Sequence, residues 1–286
     1  MCYNTRVRGG KMLEIGINLN NECGKNDAEK LKLVKKVGFK NLMLSFQSKD
    51  IEDTIKKTQK MGLNVSYYHL NNIIADDLWV KGLTNDEYIK YVFKQLELCG
   101  KYNIPIAVMH ATIGNPTDFV IEPNEHGLNC MKRIVDVARK NNVKIALENV
   151  DGSSFKYVKF LLDNIKSENL GFCYDLGHHQ LYNSKIDMLK MYGDRLFALH
   201  IHDNLMDYEI GYDYTRDLHW LPFDGKINFE KFIKKLKDVK YNGILMLEVH
   251  KELYKDQEMY RDIKNEDFIK EAMLRVNKLN QLMEEI

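Results

Sequence analysis

Residues 143–178 read VKIALENVDGSSFKYVKFLLDNIKSENLGFCYDLGH, and this stretch contains one complete strand–helix–strand unit. Two short apolar runs, Val143–Asn149 and Leu170–Asp175, have the length and composition of strands that are buried on both faces. Between them, Ser153–Lys166 repeats apolar residues at helical spacing. Each run also carries a carboxylate at or beside its C-terminal end. The unit therefore predicts two parallel strands joined by a crossover helix.

The same alternation continues along the whole chain. Six further strands are predicted near Leu13–Leu19, Lys40–Phe46, Leu63–His69, Ile104–His110, Leu196–His202 and Gly243–Val249. Further helices are predicted over Asn26–Val37, Thr84–Tyr102, Asn124–Asn142, Asn228–Val239 and Asn265–Glu284. Eight β/α units with short connections predict a single-domain (β/α)8 TIM barrel over residues 12–286. A doubly wound open sheet is the alternative, but the first turn, NLNNECGKN, lacks the glycines that such a sheet uses there.

Composition narrows the classes of function. The 286 residues include 42 Lys or Arg and 41 Asp or Glu, and this balance argues against a nucleic-acid partner, which usually requires a basic excess. The five cysteines are odd in number and form no CxxC pair, as is typical of a reducing, cytoplasmic location. No apolar run is long enough to predict a membrane span. The oligomeric state is left open.

The first eleven residues, MCYNTRVRGGK, show no hydrophobic period. Arg-Gly-Gly can be encoded by purine-rich codons that resemble a bacterial ribosome-binding site just upstream of Met12. We therefore expect translation to start at Met12 and residues 1–11 to be an artefact of start-site assignment. The alternative is a short N-terminal extension that caps the bottom of the barrel, where segments serve stability and not catalysis.

Polar side chains stand at the C-terminal ends of six consecutive predicted strands, and they are His69, His110, Glu148, Asp175, His200 and Glu248. A buried imidazole or carboxylate must be paired, hydrogen-bonded or metal-bound, and barrel active sites draw their side chains from strand ends. His178 follows Asp175 by three residues, and Asp217 and His219 lie in the loop after the seventh strand. Imidazole and carboxylate are the ligands of zinc, manganese and related ions. The sequence therefore predicts a divalent-metal site at this end of the barrel.

The order H…H…E…DxxH…H…DxH…E, spread over about residues 13 to 250, resembles the xylose-isomerase-like TIM barrel superfamily. That superfamily contains the sugar phosphate isomerases/epimerases and the endonuclease IV family of DNA-repair nucleases. Both branches carry metal sites at the mouth of the barrel, so the resemblance implies the same location here.

The resemblance to the epimerase branch implies one Zn, Mn, Mg or Co ion held by Glu148, Asp175, His200 and Glu248. Glu148 and Glu248 would then be the catalytic pair on opposite sides of a bound sugar. One would take a proton from carbon and the other would return it. The implied activity is isomerisation or epimerisation of a small sugar or sugar-like molecule, phosphorylated or not.

The resemblance to endonuclease IV implies up to three ions and a phosphoesterase activity. Two additional sites would come from His69 and His110 with Glu148, and from His178, Asp217 and His219. Two features depart from that branch, since WLPFDG at 220–225 replaces its glycine-rich stretch and the charge is balanced. A related lyase or dehydratase, or a barrel used only for binding, is the third class.

Three residues near the predicted mouth are further candidates for substrate contact. His202 is two residues after His200 and points to the same face of its strand. Tyr68 and Trp220 offer aromatic surfaces that would suit a sugar ring, although packing at the rim is an equally good interpretation.

Overall fold

The computed structural model describes residues 12–113, 121–150, 154–182, 184–205, 216–253 and 258–286. Eight parallel strands form the sheet: β1 Glu14–Asn18, β2 Asn41–Ser45, β3 Asn64–His69, β4 Ile106–His110, β5 Lys144–Glu148, β6 Leu170–Asp175, β7 Leu196–His200 and β8 Ile244–Leu247. From β1 to β7, each neighbour in sequence is a neighbour in the sheet, and β8 pairs with β1. A bridge between Ile201 and Leu247 brings β7 against β8. The predicted (β/α)8 barrel is confirmed, and every strand falls inside its predicted range.

The helices lie between the strands and cover the outside of the barrel. They are α1 Asp27–Val37, α2 Ile51–Lys60, α3 Leu83–Lys101, α4 Glu125–Lys140, α5 Phe155–Asn164, α6 Leu176–Tyr182, α7 Met188–Tyr192, α8 Phe229–Asp238 and α9 Asn265–Glu285. The side chains of Asn26, Asn124 and Asn228 cap α1, α4 and α8 by accepting a backbone N–H three residues on. These caps explain why the starts of the three helices could be predicted closely.

Helix α2 was not predicted, because part of its buried face is polar. Thr54 and Thr58 are buried beside Ile55, and the Thr58 hydroxyl donates to the Thr54 carbonyl within the helix at 2.8 Å. Two hydroxyl residues thus occupy positions that a hydrophobic pattern would fill with leucine or valine. The short helices α6 and α7 were not predicted either.

The apolar core has two layers. The larger one lies between the strands and the helices, and the smaller one fills the interior of the barrel with Met43, Tyr67, Val108, Ala146, Cys173, Ala198 and Met246. Six of these seven residues come two positions before His69, His110, Glu148, Asp175, His200 and Glu248. Because alternate residues of a strand face the same side, the six polar side chains form the next layer, towards the C-terminal mouth.

Within the part of the chain that the structure describes, no helix is both long and apolar enough to cross a membrane. The predicted extension at residues 1–11 lies outside the described residues.

Candidate metal centre

The polar layer at the mouth divides into three adjoining clusters, which share donors of the type that hold metal ions. The first consists of His69, His110 and Glu148, at the ends of β3, β4 and β5. The Nε2 atoms of His69 and His110 lie 3.2 and 3.1 Å from Glu148 Oε2. On the far side of its ring, His69 directs Nδ1 at the Leu70 carbonyl at 3.0 Å, which leaves Nε2 facing the cluster.

The second cluster is a tetrad of Glu148, Asp175, His200 and Glu248, whose donor atoms all lie within 4.8 Å of one another. His200 Nδ1 stands between the two glutamates, 3.2 Å from Glu148 Oε1 and 3.0 Å from Glu248 Oε2. It is also 3.7 Å from Asp175 Oδ2. Glu148 thus belongs to both the first cluster and the tetrad, one oxygen facing each.

The third cluster joins His178 of α6 to Asp217 and His219 of the loop after β7. Asp217 Oδ2 is 2.8 Å from His178 Nε2 and 3.0 Å from His219 Nε2. The Nδ1 atoms of these two rings lie near backbone carbonyls, at 3.0 Å for Asn149 and 2.9 Å for Glu248. A carbonyl partner on one ring nitrogen fixes the tautomer that turns the other nitrogen's lone pair towards the site.

His202 has a nitrogen within 4.8 Å of the donors of the third cluster, but its ring orientation does not suit a ligand there. Its ring lies parallel to that of His219, with centroids 3.8 Å apart and planes 11° apart. Each imidazole lone pair lies in the plane of its own ring, so two parallel rings cannot both aim at one ion. His202 Nε2 is instead 3.1 Å from Asp175 Oδ1, and the side chain is fully buried. His202 is therefore placed to orient Asp175, and its contact with a substrate stays a prediction.

The charged groups of the mouth shift one another's pKa values. Burial alone would raise the pKa of Glu148, but the neighbouring His200 and His110 hold it well below its usual range. Burial lowers the pKa of His219, yet the Asp217 carboxylate outweighs this and raises the pKa to about 9. Glu148 is therefore ionised at neutral pH, as a metal ligand must be, while His219 must release a proton to bind an ion.

The donor set fits a divalent cation. Nine buried or nearly buried side chains provide only imidazole nitrogens and carboxylate oxygens, the ligands of zinc, manganese and cobalt. Three of the rings have a backbone carbonyl near Nδ1, while their Nε2 atoms lie beside the carboxylate of their own cluster. Such outer partners are what orient ligands in metal sites.

A cavity of about 360 Å³ opens above the clusters. Its lining residues are Asn20, Glu22, Met43, Ser45, Phe46, Gln47, His69, Asn72, His110, Ile113, Glu148, Val150, His178, His219, Glu248, His250 and Leu253. The sequence alone did not predict Asn20, Glu22, Gln47 or His250 as lining residues. Their signal was weak, because a single polar residue after a strand is common in loops.

Tyr68 and Trp220 are not among the described residues that line this cavity. Tyr68 is buried between the sheet and the helices, because it alternates with Tyr67 and His69, which face the barrel interior. Trp220 packs half-buried against the same apolar layer, and its backbone pairs with Asp203. Both rings therefore pack in the apolar layer, and their contact with a substrate stays a prediction.

Fold and mouth together define a (β/α)8 barrel protein whose candidate site lies at the C-terminal ends of the strands. Residues 31–275 match the model of the xylose isomerase-like TIM barrel family, and the chain belongs to that family.

Several known proteins are similar to this chain. An uncharacterised protein of Sinorhizobium fredii, y4fM, is 28% identical over 179 residues, which cover 58% of this chain and 54% of the relative. An inosose isomerase of Bacillus velezensis is 24% identical over 174 residues, which cover 59% of this chain and 61% of the relative. The chain thus spans little more than half the length of these relatives.

Solved structures show the same fold at low sequence identity. A zinc-bound structure described as the IOLI protein has a TM-score of 0.76 at 19% identity, and the match covers 94% of this chain and 98% of that one. An L-ribulose 3-epimerase has a TM-score of 0.74 at 15% identity, and the match covers 96% of both chains.

Proposed function

We propose that this protein is a divalent-metal-dependent isomerase or epimerase of a small sugar or sugar-like molecule. The tetrad carries the proposal, because Glu148 and Glu248 flank His200 at 3.2 and 3.0 Å and all four donors converge. The names of similar proteins support it, since they include an inosose isomerase and epimerases of L-ribulose and D-psicose.

The tetrad residues Glu148, Asp175, His200 and Glu248 would hold the ion, which when bound would polarise the carbonyl and the adjacent hydroxyl of the substrate. Glu148 and Glu248 approach this point from different strands, on β5 and just after β8. One carboxylate would take the proton from the carbon beside the carbonyl. The other would return a proton to the opposite face, or to the neighbouring carbon.

Proton transfer to and from carbon gives a direct test. The protein, loaded in turn with Zn²⁺, Mn²⁺, Mg²⁺ or Co²⁺, is incubated in D2O with L-ribulose, D-tagatose, D-psicose or an inosose. Loss of the carbon-bound proton signal, followed by proton NMR, and a new sugar isomer are expected for at least one pair. Glu248→Gln is the matched variant and should abolish the exchange. No exchange with any of these compounds and any of these metals would contradict the proposal.

The other two clusters favour a second candidate, metal-dependent hydrolysis of a phosphoester. His69 with His110, and Asp217 with His178 and His219, offer ligands that a single-ion isomerase does not require. Clustered ions activate water and neutralise a phosphodiester during in-line attack. Cleavage of an abasic-site DNA duplex by the metal-loaded protein, without sugar exchange, would favour this candidate.

A further inference from the structure

Two residues from opposite ends of the chain meet at the rim of the mouth. Glu22 follows β1 and His250 follows β8, and Glu22 Oε1 accepts a hydrogen bond from His250 Nδ1 at 2.7 Å. The other oxygen, Glu22 Oε2, accepts the backbone N–H of Lys251 at 3.1 Å. The carboxylate therefore holds both the ring of His250 and the backbone that follows it.

The position of His250 is fixed from several directions. Its backbone N–H donates to the His219 carbonyl at 3.0 Å, and its ring stands edge-on to that of His219, with centroids 5.2 Å apart. Glu22 itself has a φ of 58°, a conformation that costs energy for a residue with a side chain. Strain of this kind is found where a site requires one particular side-chain position.

The Glu22 contact decides what His250 presents to the cavity. Because Nδ1 donates its hydrogen to the carboxylate, Nε2 is the ring nitrogen left for another partner. His250 lines the cavity, and its Nε2 has no hydrogen-bond partner among the described residues. Nε2 is thus positioned to accept a hydrogen bond from a hydroxyl group of a bound molecule.

The wall beside His250 is built from uncharged polar groups. Asn20 donates to Gln47 across the rim, with Nδ2 to Oε1 at 3.4 Å, and both side chains line the cavity with Ser45. No lysine or arginine occurs among the described lining residues of this cavity. Amides, a hydroxyl and an imidazole acceptor suit hydroxyl groups, whereas phosphate groups are usually held by Arg, Lys or a helix N-terminus.

A neighbouring cavity of about 190 Å³ continues this wall between the loops after β1 and β2. It shares Glu22 with the mouth and adds one cation, Lys30, and a second carboxylate, Asp27. Among the described lining residues of this second cavity, two carboxylates thus stand beside one lysine, which is unfavourable for an anionic substrate end.

We propose that Glu22 and His250 form a hydroxyl-binding subsite, and that with Asn20 and Gln47 they select an uncharged, polyhydroxylated substrate over its phosphate ester. The substrate class rests on the proposed function, because the subsite would bind the end of the same sugar that lies far from the tetrad. The subsite itself is a matter of binding and can be tested without turnover.

Two measurements on the metal-loaded protein separate these claims. Calorimetric titration with xylitol, a polyol that cannot isomerise by this chemistry, reports the subsite alone. Exchange of carbon-bound protons in D2O compares D-tagatose with D-tagatose 6-phosphate. The variants are His250→Leu, which removes the acceptor, and His250→Gln, which restores an oxygen near the position of Nε2. His126→Leu, on helix α4 and outside the described lining of the cavity, is the matched control.

We expect His250→Leu to raise the Kd for xylitol and the KM for D-tagatose about fivefold to tenfold, as for one lost hydrogen bond, with a smaller effect on kcat. His250→Gln should recover most of this loss, and His126→Leu should bind as the unaltered protein does. D-tagatose should be preferred over its 6-phosphate in kcat/KM.

Three outcomes would contradict the subsite, the isomerase proposal or both. Preference for the phosphate ester, or an unchanged xylitol Kd in His250→Leu, would overturn the subsite while leaving the isomerase proposal intact. Binding of xylitol that depends on His250, without turnover of any ketose, would overturn the isomerase proposal and keep the subsite. Neither binding nor turnover would overturn both. Circular dichroism of each variant confirms that it folds.

Discussion

The Asp203 carboxylate accepts a hydrogen bond from the backbone N–H of Gly225 at 2.9 Å, across the loop that carries Asp217 and His219. The same carboxylate accepts three more backbone N–H groups, from Asn204, Phe223 and Ile227. A Cβ atom at position 225 would collide with Asp203 Oδ1, so only glycine allows this close approach. Asp203 therefore holds in place the loop that delivers two donors to the third cluster.

Replacement of Asp203 by asparagine should destabilise the protein by about 2–3 kcal/mol, because the amide group would face two backbone donors without an acceptor. Gly225→Ala should act in the same direction through the collision with Asp203. Chemical denaturation measures the effect, and Asp238→Asn on the exposed surface of α8 is the matched control. Equal stabilities of Asp203→Asn and the control would show that the loop does not depend on Asp203.

Glu148→Gln should lower catalytic activity by at least about 10³-fold and weaken metal binding while leaving the fold largely intact. The residue faces two donor clusters and not the apolar core, so its charge serves the site. Turnover and elemental analysis give the two effects, and far-ultraviolet circular dichroism checks the fold. A variant that turns over at the original rate would remove Glu148 from the mechanism.

Protein purified without chelator should contain more than one divalent ion per chain, because the third cluster is separate from the tetrad. Asp217→Asn should lower the count by about one, since it removes the oxygen on which His178 and His219 converge. Glu248→Gln should affect the ion of the tetrad instead. A single equivalent that does not respond to Asp217→Asn would leave a one-ion site.

Metal binding near pH 7.5 should release protons, and fewer should be released as the pH rises through about 9. Asp217 raises the pKa of His219 to about 9 in the metal-free protein, so below that pH the ring is protonated and must lose its proton to bind an ion. Calorimetry in buffers of different ionisation enthalpy counts the protons. A proton count that stays constant from pH 7.5 to pH 10 would contradict this assignment.

The barrel and the main donors could be predicted from the sequence because both depend on local patterns. Buried parallel strands are continuous apolar runs, so their ends are visible, and a polar residue at each end then marks the mouth. Glu148, Asp175, His200 and Glu248 were found in this way. The tetrad could be predicted because the C-terminal ends of parallel strands lie at the same end of a barrel.

The hydrogen bonds that hold the donor residues in place could not be predicted from the sequence. In the sequence, Asp203 is one polar loop residue among several. Its four backbone hydrogen-bond donors can be identified only in the folded protein. Glu22 and His250 are 228 residues apart in the chain and meet only because β1 and β8 close the barrel. Contacts of this kind depend on sheet closure, which a single stretch of sequence does not encode.

Side-chain direction also required the tertiary structure. Tyr68 and His202 both lie near strand ends, but one faces the helices and the other stacks on His219. The strands that carry donors could be recognised from the sequence, because hydrophobic periodicity is a local property of the chain. The grouping of the donors into clusters, and the residues that orient them, became evident in the folded protein, because packing between distant segments sets strand register and ring orientation.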